Sequence, residues 1–130
     1  MSNLIKINSF LILVVIFLSG CNTTPVQPEP KPWWYPFVLN NHSNIEVMEL
    51  RRATTSSGEI ELALTIKNTS SRSGQEFIYK VEWFNVQGMG MNTILSRWNK
   101  ESLIPKEIST FTMISPGNKA TDFRILINEI

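Results

Sequence analysis

The chain has 130 residues and a nearly balanced charge, with 12 basic and 11 acidic side chains and a net charge of +1. Because nucleic-acid-binding domains carry an excess of clustered basic residues, this balance argues against a nucleic-acid partner. One cysteine and one histidine exclude a disulfide framework and supply too few ligands for a Cys/His zinc site.

Residues 1–20 have the anatomy of a secretory signal peptide. Lys6 is followed by an apolar run at residues 10–18, and two small residues precede Cys21. A membrane-spanning helix needs about 20 apolar residues. The shorter run therefore predicts a cleaved signal and not a membrane anchor.

The stretch Leu18–Cys21 resembles the lipobox of bacterial lipoproteins, in which the cysteine thiol is joined to diacylglycerol and the signal is cut just before it. The resemblance implies that Cys21 is lipidated and that its acyl chains anchor the protein to a bilayer. The alternative is an ordinary signal peptide with an incidental cysteine. Enterobacterial sorting retains lipoproteins with Asp after the cysteine in the inner membrane, so Asn22 favours the outer membrane and a periplasm-facing domain.

Residues 21–43 are predicted to form a tether that is rich in proline and aromatic residues. Five of the seven prolines lie at residues 25–36. Proline fixes φ and removes a hydrogen-bond donor, so we expect an extended, semi-rigid spacer between the membrane and the domain.

The tether ends in the adjacent aromatic residues Trp33, Trp34 and Tyr35, with Phe37 soon after. Three interpretations are open for this aromatic segment. It packs on the flank of the domain, it contacts the membrane at headgroup level, or it anchors a partner protein.

Residues 44–130 are predicted to form one all-β domain of about six strands. In Glu59–Lys67 apolar side chains alternate with polar ones, which indicates a half-buried strand. Gln75–Val86 has apolar residues on both faces and is predicted to be a central strand. The other predicted strands are Ile45–Arg51, Ile94–Asn99, Ile108–Ile114 and Phe123–Ile127. Short turns between them and the lack of a long helical pattern favour a small antiparallel sandwich or barrel.

Several segments together resemble the YcfL family of small outer-membrane lipoproteins, which carry a domain of unknown function (DUF1425). They are Tyr79–Met89, Trp98, Leu103–Pro105 and Phe123–Ile127. The resemblance implies an immunoglobulin-like β-sandwich in the cell envelope, with a possible link to peptidoglycan synthesis, and it supplies no catalytic residues. Asn85 stands where the family usually has Asp, which weakens the expectation that this side chain caps the turn.

The residues alone give an enzyme little support. His42 lies in a polar turn and is predicted to be a solvated loop residue, and Glu59 and Glu61 are predicted to be solvated on a strand face. No Gly-rich phosphate loop follows a strand and opens a helix. We therefore expect no catalytic residues, no metal and no cofactor.

The predicted function is a non-catalytic interaction or structural module that binds an unknown envelope protein or peptidoglycan. Candidate contact residues are Trp33, Trp34 and Tyr35 in the aromatic segment and Met89 and Met91 in a flexible loop. The second face of the central strand is a further candidate surface. The alternatives are a subunit of a larger secretion or conjugation assembly and, with less support, an envelope hydrolase.

Overall fold

A computed structural model of the chain describes residues 20, 21 and 23–130. The predicted signal peptide therefore lies outside the described residues, apart from Gly20. The chain divides into two units, Met1–Pro30 and Lys31–Ile130. In the first unit the described residues form no helix or strand. No helix in the described part of the chain has the length and apolarity needed to cross a membrane.

The second unit is all-β, as the sequence predicts. Its elements include a 3-10 helix at Tyr35–Phe37 and another at Ile94–Ser96. The strands are β1 Val38–Asn40, β2 Ile45–Thr54, β3 Ile60–Asn68, β4 Gln75–Asn85, β5 Asn99–Leu103, β6 Ile108–Ile114 and β7 Ala120–Glu129.

The strands form two sheets, one with the order β1-β7-β4-β5 and the other with the order β2-β3-β6. The pairs are antiparallel except for β1 and β7, which run parallel with Val38 opposite Ile125. In immunoglobulin terms β2, β3 and β6 correspond to strands A, B and E, and β4 and β7 to strands C and F. The N-terminal β1 takes the place beside β7 that the last strand, G, holds in immunoglobulin domains.

The core lies between the two sheets. Along β3 each inward-facing side chain is buried and each outward-facing one is partly exposed, as the alternation predicts. Trp83 and Phe77 on β4 are the largest fully buried side chains, and they meet an aliphatic layer from both sheets. The members of this layer include Leu50, Leu62, Leu64, Ile66, Ile125 and Ile127.

Several boundaries differ from the predicted ones. β2 continues to Thr54 where the prediction ends at Arg51, and β7 spans Ala120–Glu129 in place of Phe123–Ile127. The prediction starts the domain at residue 44, whereas β1 at Val38–Asn40 already belongs to a sheet. A three-residue strand is too short to show an alternating pattern, and only its register against β7 explains why Val38 is buried.

The predicted strand at Ile94–Asn99 is a 3-10 helix followed by a loop, and β5 begins only at Asn99. Ile94 is 83% exposed, so its apolar side chain does not mark a buried strand face. β5 itself is an edge strand of mostly polar sequence, which carries little strand signal.

Candidate interaction surface

The aromatic segment forms a tight turn at the start of the folded unit. Pro36 fixes φ within the first turn of the 3-10 helix. The backbone N–H of Tyr35 donates to the Pro32 carbonyl at 3.1 Å, and that of Phe37 donates to the Trp34 carbonyl at 2.9 Å. The turn directs Phe37 toward the sandwich and leaves Trp33 and Tyr35 half-exposed.

A series of aromatic rings connects this segment to the core. The centroid of Phe37 lies 5.3 Å from that of Phe123 on β7, and Phe123 lies 6.2 Å from Trp83 on β4. Trp33 packs on Phe37 from outside at 6.2 Å. The segment therefore packs on the flank of the domain through Phe37 and Trp34 and still presents aromatic surface to solvent.

An open cleft of about 1100 Å³ runs along β2, and we name it the β2 cleft. Its lining includes Trp33 and Trp34, the β2 residues Glu49–Thr54, and Glu61, Ala63, Thr110 and Thr112 of β3 and β6. The outward-facing residues of β3 and β6 place the cleft over the outer face of the second sheet, beside the free edge of β2. Within the described residues no strand pairs with this edge.

Charged side chains at the β2 cleft are held in defined positions. The guanidinium of Arg52 lies 5.9 Å from the centroid of the Phe123 ring and donates to the Thr121 carbonyl at 3.5 Å. On the outer face of the same strand, Arg51 Nε lies 3.7 Å from Glu49 Oε2. Both Arg51 and Glu49 are well exposed.

The methionine loop, residues 86–91, follows β4. The amide oxygen of Asn85 accepts the backbone N–H groups of Gln87 and Met89, each at 3.0 Å. Asn85 therefore does cap the turn, against the weakened expectation from sequence, because an amide oxygen accepts these bonds as a carboxylate would. Gly88 supplies the positive φ of 76° that this turn requires.

The two groups of predicted contact residues, the aromatic segment and the methionine loop, lie toward opposite edges of the first sheet. The N–H of Met91 donates to the Trp83 carbonyl at 2.8 Å, and Gly90 bridges Phe84, along the edge of β4 that does not pair with β7. The aromatic segment lies beyond β7. Met89 is exposed and Met91 packs against the core, so the structure does not join the methionine loop with Trp33, Trp34 and Tyr35 into one site.

The family model described as "Protein of unknown function (DUF1425)" matches residues 37–129. The chain belongs to this family. The match begins at the last aromatic residue of the tether and ends with β7, so it spans the whole sandwich. Among curated proteins no match is found.

Two solved structures share the fold of this DUF1425 domain. A DUF1425 family member from Shewanella sp. is 21% identical with a TM-score of 0.58, and the match covers 66% of this chain and 78% of that one. Campylobacter jejuni cj0090 is 20% identical with a TM-score of 0.59, and the match covers 72% of this chain and 98% of that one. At this identity the likeness supports the β-sandwich fold and nothing about activity.

The outer face of the first DUF1425 sheet is covered by its own charged side chains. Arg124 Nε donates to Glu82 Oε2 at 2.9 Å, and Lys80 Nζ lies 3.1 Å from Glu82 Oε1. The bond from Arg124 is the main cause that lowers the pKa of Glu82 below its usual 4.5. Arg124 also lies over Phe84, with the guanidinium 5.8 Å from the ring centroid. Ile78 and Phe84 are therefore only partly accessible, which favours the β2 cleft over this face as a contact surface.

A smaller cavity of about 250 Å³ opens between β4 and β6. Its polar lining residues are Tyr79, Arg97, Asn99 and Thr112, and its apolar lining includes Trp83 and Met113. Burial is the main cause that raises the pKa of Tyr79, and the nearby Glu101 carboxylate adds to it. The phenol therefore stays protonated at neutral pH and can only donate or accept a hydrogen bond.

His42 is buried and not solvated, which corrects the sequence prediction. Its Nδ1 accepts the backbone N–H of Asn44 at 3.1 Å, so Nε2 carries the proton and donates to the Glu76 carbonyl at 3.1 Å. Both ring nitrogens therefore form hydrogen bonds, and the side chain fixes the turn that connects β1 to β2, which we call the β1–β2 corner.

The same corner is held from β7. The backbone N–H and hydroxyl of Ser43 donate to Glu129 Oε1 at 3.1 and 2.9 Å, and these bonds lower the pKa of Glu129.

The other acidic residues that the sequence analysis considered lie apart from this corner. Thr55 Oγ1 donates to Glu59 at 2.8 Å, while Glu61 lines the β2 cleft. Within the part of the chain that the structure describes, no group of three or more His, Cys, Asp or Glu side chains could hold a metal ion.

Proposed function

We propose that this protein is an outer-membrane lipoprotein, anchored through Cys21, whose DUF1425 sandwich is a non-catalytic binding module for an envelope protein or for peptidoglycan. The segments that resemble the YcfL family support membership of that branch of DUF1425. Cys21 is exposed, as lipid attachment requires, and it follows the lipobox-like residues.

The observation that carries the binding proposal is the exposure of the aromatic segment. Trp33 and Tyr35 are each 51% exposed, although Phe37 and Trp34 beside them pack on the domain. Solvent-exposed aromatic side chains held by a rigid scaffold are typical anchors of interfaces, because they bury large area with little loss of entropy. Lys31 Nζ lies 4.1 Å from the Tyr35 ring centroid and restricts this ring further.

The place of the segment in the chain agrees with such a role. It directly follows the proline-rich spacer, so a partner bound here meets the domain on the side where the chain leads to the anchor. A module with its contact residues beside its tether suits a partner that lies close to the membrane. Peptidoglycan and membrane-associated proteins both meet this condition.

The test compares binding by the non-lipidated Cys21→Ser protein with and without Trp33→Ala and Tyr35→Ala. We expect the aromatic double variant to lose binding to its envelope partner by roughly 30-fold or more, the effect typical of anchor residues. Trp98→Ala is the matched control, since Trp98 is a 41% exposed tryptophan outside the segment. Binding is measured by co-sedimentation with purified peptidoglycan and by quantitative capture from envelope extract. Unchanged binding of the double variant in both assays would contradict the proposal.

A further inference from the structure

We propose that the free edge of β2 pairs with β2 of a second copy of this chain, as antiparallel strands related by a two-fold axis at Leu50. This inference goes beyond the proposed function and does not rest on it, because the occupant of the edge is the protein itself. It is carried by the position of β2 at a sheet edge, by its length and by its charges.

β2 is the longest of the four edge strands in the described sheets, at ten residues. The edges of the first sheet are β1 and β5, with three and five residues, and the other edge of the second sheet is β6, with seven. An edge strand presents a row of backbone donors and acceptors that another strand can pair with. Glu49–Thr54 line the open cleft, and no strand among the described residues pairs with the outer edge of β2.

The charges on β2 are self-complementary in one register. Glu49 and Arg51 lie opposite Thr65 and Ala63 of β3, so both point to the outer face of the sheet, with the buried Leu50 between them. When two copies pair antiparallel about Leu50, Glu49 of each lies directly opposite Arg51 of the other. Opposite charges in direct cross-strand pairs are stabilising and like charges are destabilising.

Neighbouring registers lose this complementarity. A two-fold axis at Arg51 places two guanidinium groups opposite each other, and an axis at Glu49 does the same for two carboxylates. Pairing about Leu50 is thus the register that the charges select. It is also isologous, since the same patch serves both copies, as closed dimers require.

The cleft leaves the outer face of β2 open beside its pairing edge. The side chains that line it there include the small Ala53 and Ala63 and the charged Glu49, Arg51 and Glu61. Trp33 and Trp34 line the same cleft and offer apolar surface. The bulge between Val47 and Glu49 ends the straight part of β2 and keeps the pairing short.

A short strand pairing predicts a weak dimer in solution that becomes stronger on a membrane. Tethering two copies to one surface raises their effective concentration. A dimer also carries two aromatic segments, so a partner with repeated sites binds with higher avidity than a single copy allows.

The test is sedimentation equilibrium of the non-lipidated Cys21→Ser chain over a wide concentration range. We expect a monomer–dimer equilibrium. Glu49→Arg and Arg51→Glu, made singly, place like charges opposite each other and are expected to weaken the dimer roughly tenfold or more. The double variant Glu49→Arg/Arg51→Glu restores opposite pairs and is expected to restore the dimer.

Glu76→Arg is the matched control, because Glu76 is also a well-exposed glutamate paired with a cation, here Lys100 at 3.5 Å. It should leave the equilibrium unchanged, and circular dichroism should show that every variant is folded. A monomer at all concentrations would overturn the inference, and so would a dimer that tolerates both single charge reversals. Either result leaves the aromatic segment and the lipid anchor untouched, since this assay uses neither a membrane nor a partner.

Discussion

Asn68 shows how one buried polar side chain organises two loops at an end of the sandwich. Its Nδ2 donates to the carbonyls of Ser73, Leu103 and Ile104 at 3.0, 3.1 and 3.1 Å. Its Oδ1 accepts the backbone N–H of Ser70 at 2.9 Å. Because Asn68 is fully buried, these bonds satisfy its own amide group, and the Leu103 carbonyl is buried with it.

Replacing Asn68 with Ala is expected to lower the free energy of unfolding by about 2–4 kcal/mol, since the buried Leu103 carbonyl, two part-buried carbonyls and the Ser70 N–H lose their partner. Urea unfolding of the purified domain measures the change. Ser71→Ala in the same loop is the control, and as an exposed surface substitution it should stay within about 0.5 kcal/mol. An equally small effect at Asn68 would contradict the structural role given to this side chain.

At this scale the sequence could not predict the roles of His42 and Asn68. The Glu76 carbonyl that His42 bonds lies 34 residues away, and the Leu103 carbonyl that Asn68 bonds lies 35 residues away. Sequence reasoning predicts a polar residue in a turn-like stretch to be solvated, because its burial depends on strands whose positions the sequence does not give. Asn85 differs, because its partners are in its own turn, and there the prediction erred by treating Asn as a poor substitute for Asp.

Among the elements, β1 differs most from the prediction, because it shows that the end of the predicted tether is a strand of the first sheet. Sequence reasoning assigned residues 21–43 to a spacer, yet the last part of that range lies parallel to β7 in the place of the final immunoglobulin strand. Phe37 fixes this arrangement by packing on Phe123 just before β1 begins. The N-terminal strand is therefore part of the fold and positions the aromatic segment.

Phe37→Ala is expected to destabilise the domain by about 2–4 kcal/mol, because it removes a partly buried ring and an aromatic pair. It should also raise the amide hydrogen-exchange rates of Val38–Asn40 more than those of β3, because β1 depends on this contact. Thermal unfolding and hydrogen exchange provide the measurements. Tyr35→Ala, a half-exposed residue of the same 3-10 helix, is the control. Equal effects of the two substitutions would show that Phe37 does not hold β1 in place.

The predicted bounds of β3, β4 and β6 fall within one residue of the observed ones at either end. β3 and β4 were located by the apolar face that they bury, whereas β6 has no fully buried side chain. β2 and β7 are longer than predicted, and their additional residues 52–54 and 120–122 are mostly polar. β5 was placed too early, since Ile94 and its neighbours suggested a strand although Ile94 points to solvent. Edge strands gain less from burial, so their sequences carry a weaker signal.

For the whole molecule, the all-β sandwich and the DUF1425 family agree with the prediction from sequence, with seven described strands in place of about six. The candidate contact residues Trp33 and Tyr35 were recognisable because adjacent aromatic side chains are unusual after a proline-rich spacer. The β2 cleft was not recognisable, since a free edge exists only once the strand order is known. The tether, the aromatic segment and the sandwich are the features on which the proposed binding module rests.

The proposed lipid at Cys21 would place the binding module in the cell envelope and limit the partners that it can reach. The most direct measurement is metabolic labelling with palmitate followed by membrane fractionation, for the native chain and for Cys21→Ser. We expect the native protein to be labelled and to fractionate with the outer membrane, and the variant to be unlabelled and released. A Cys21→Ser protein that still takes up palmitate and stays in the membrane would contradict the account.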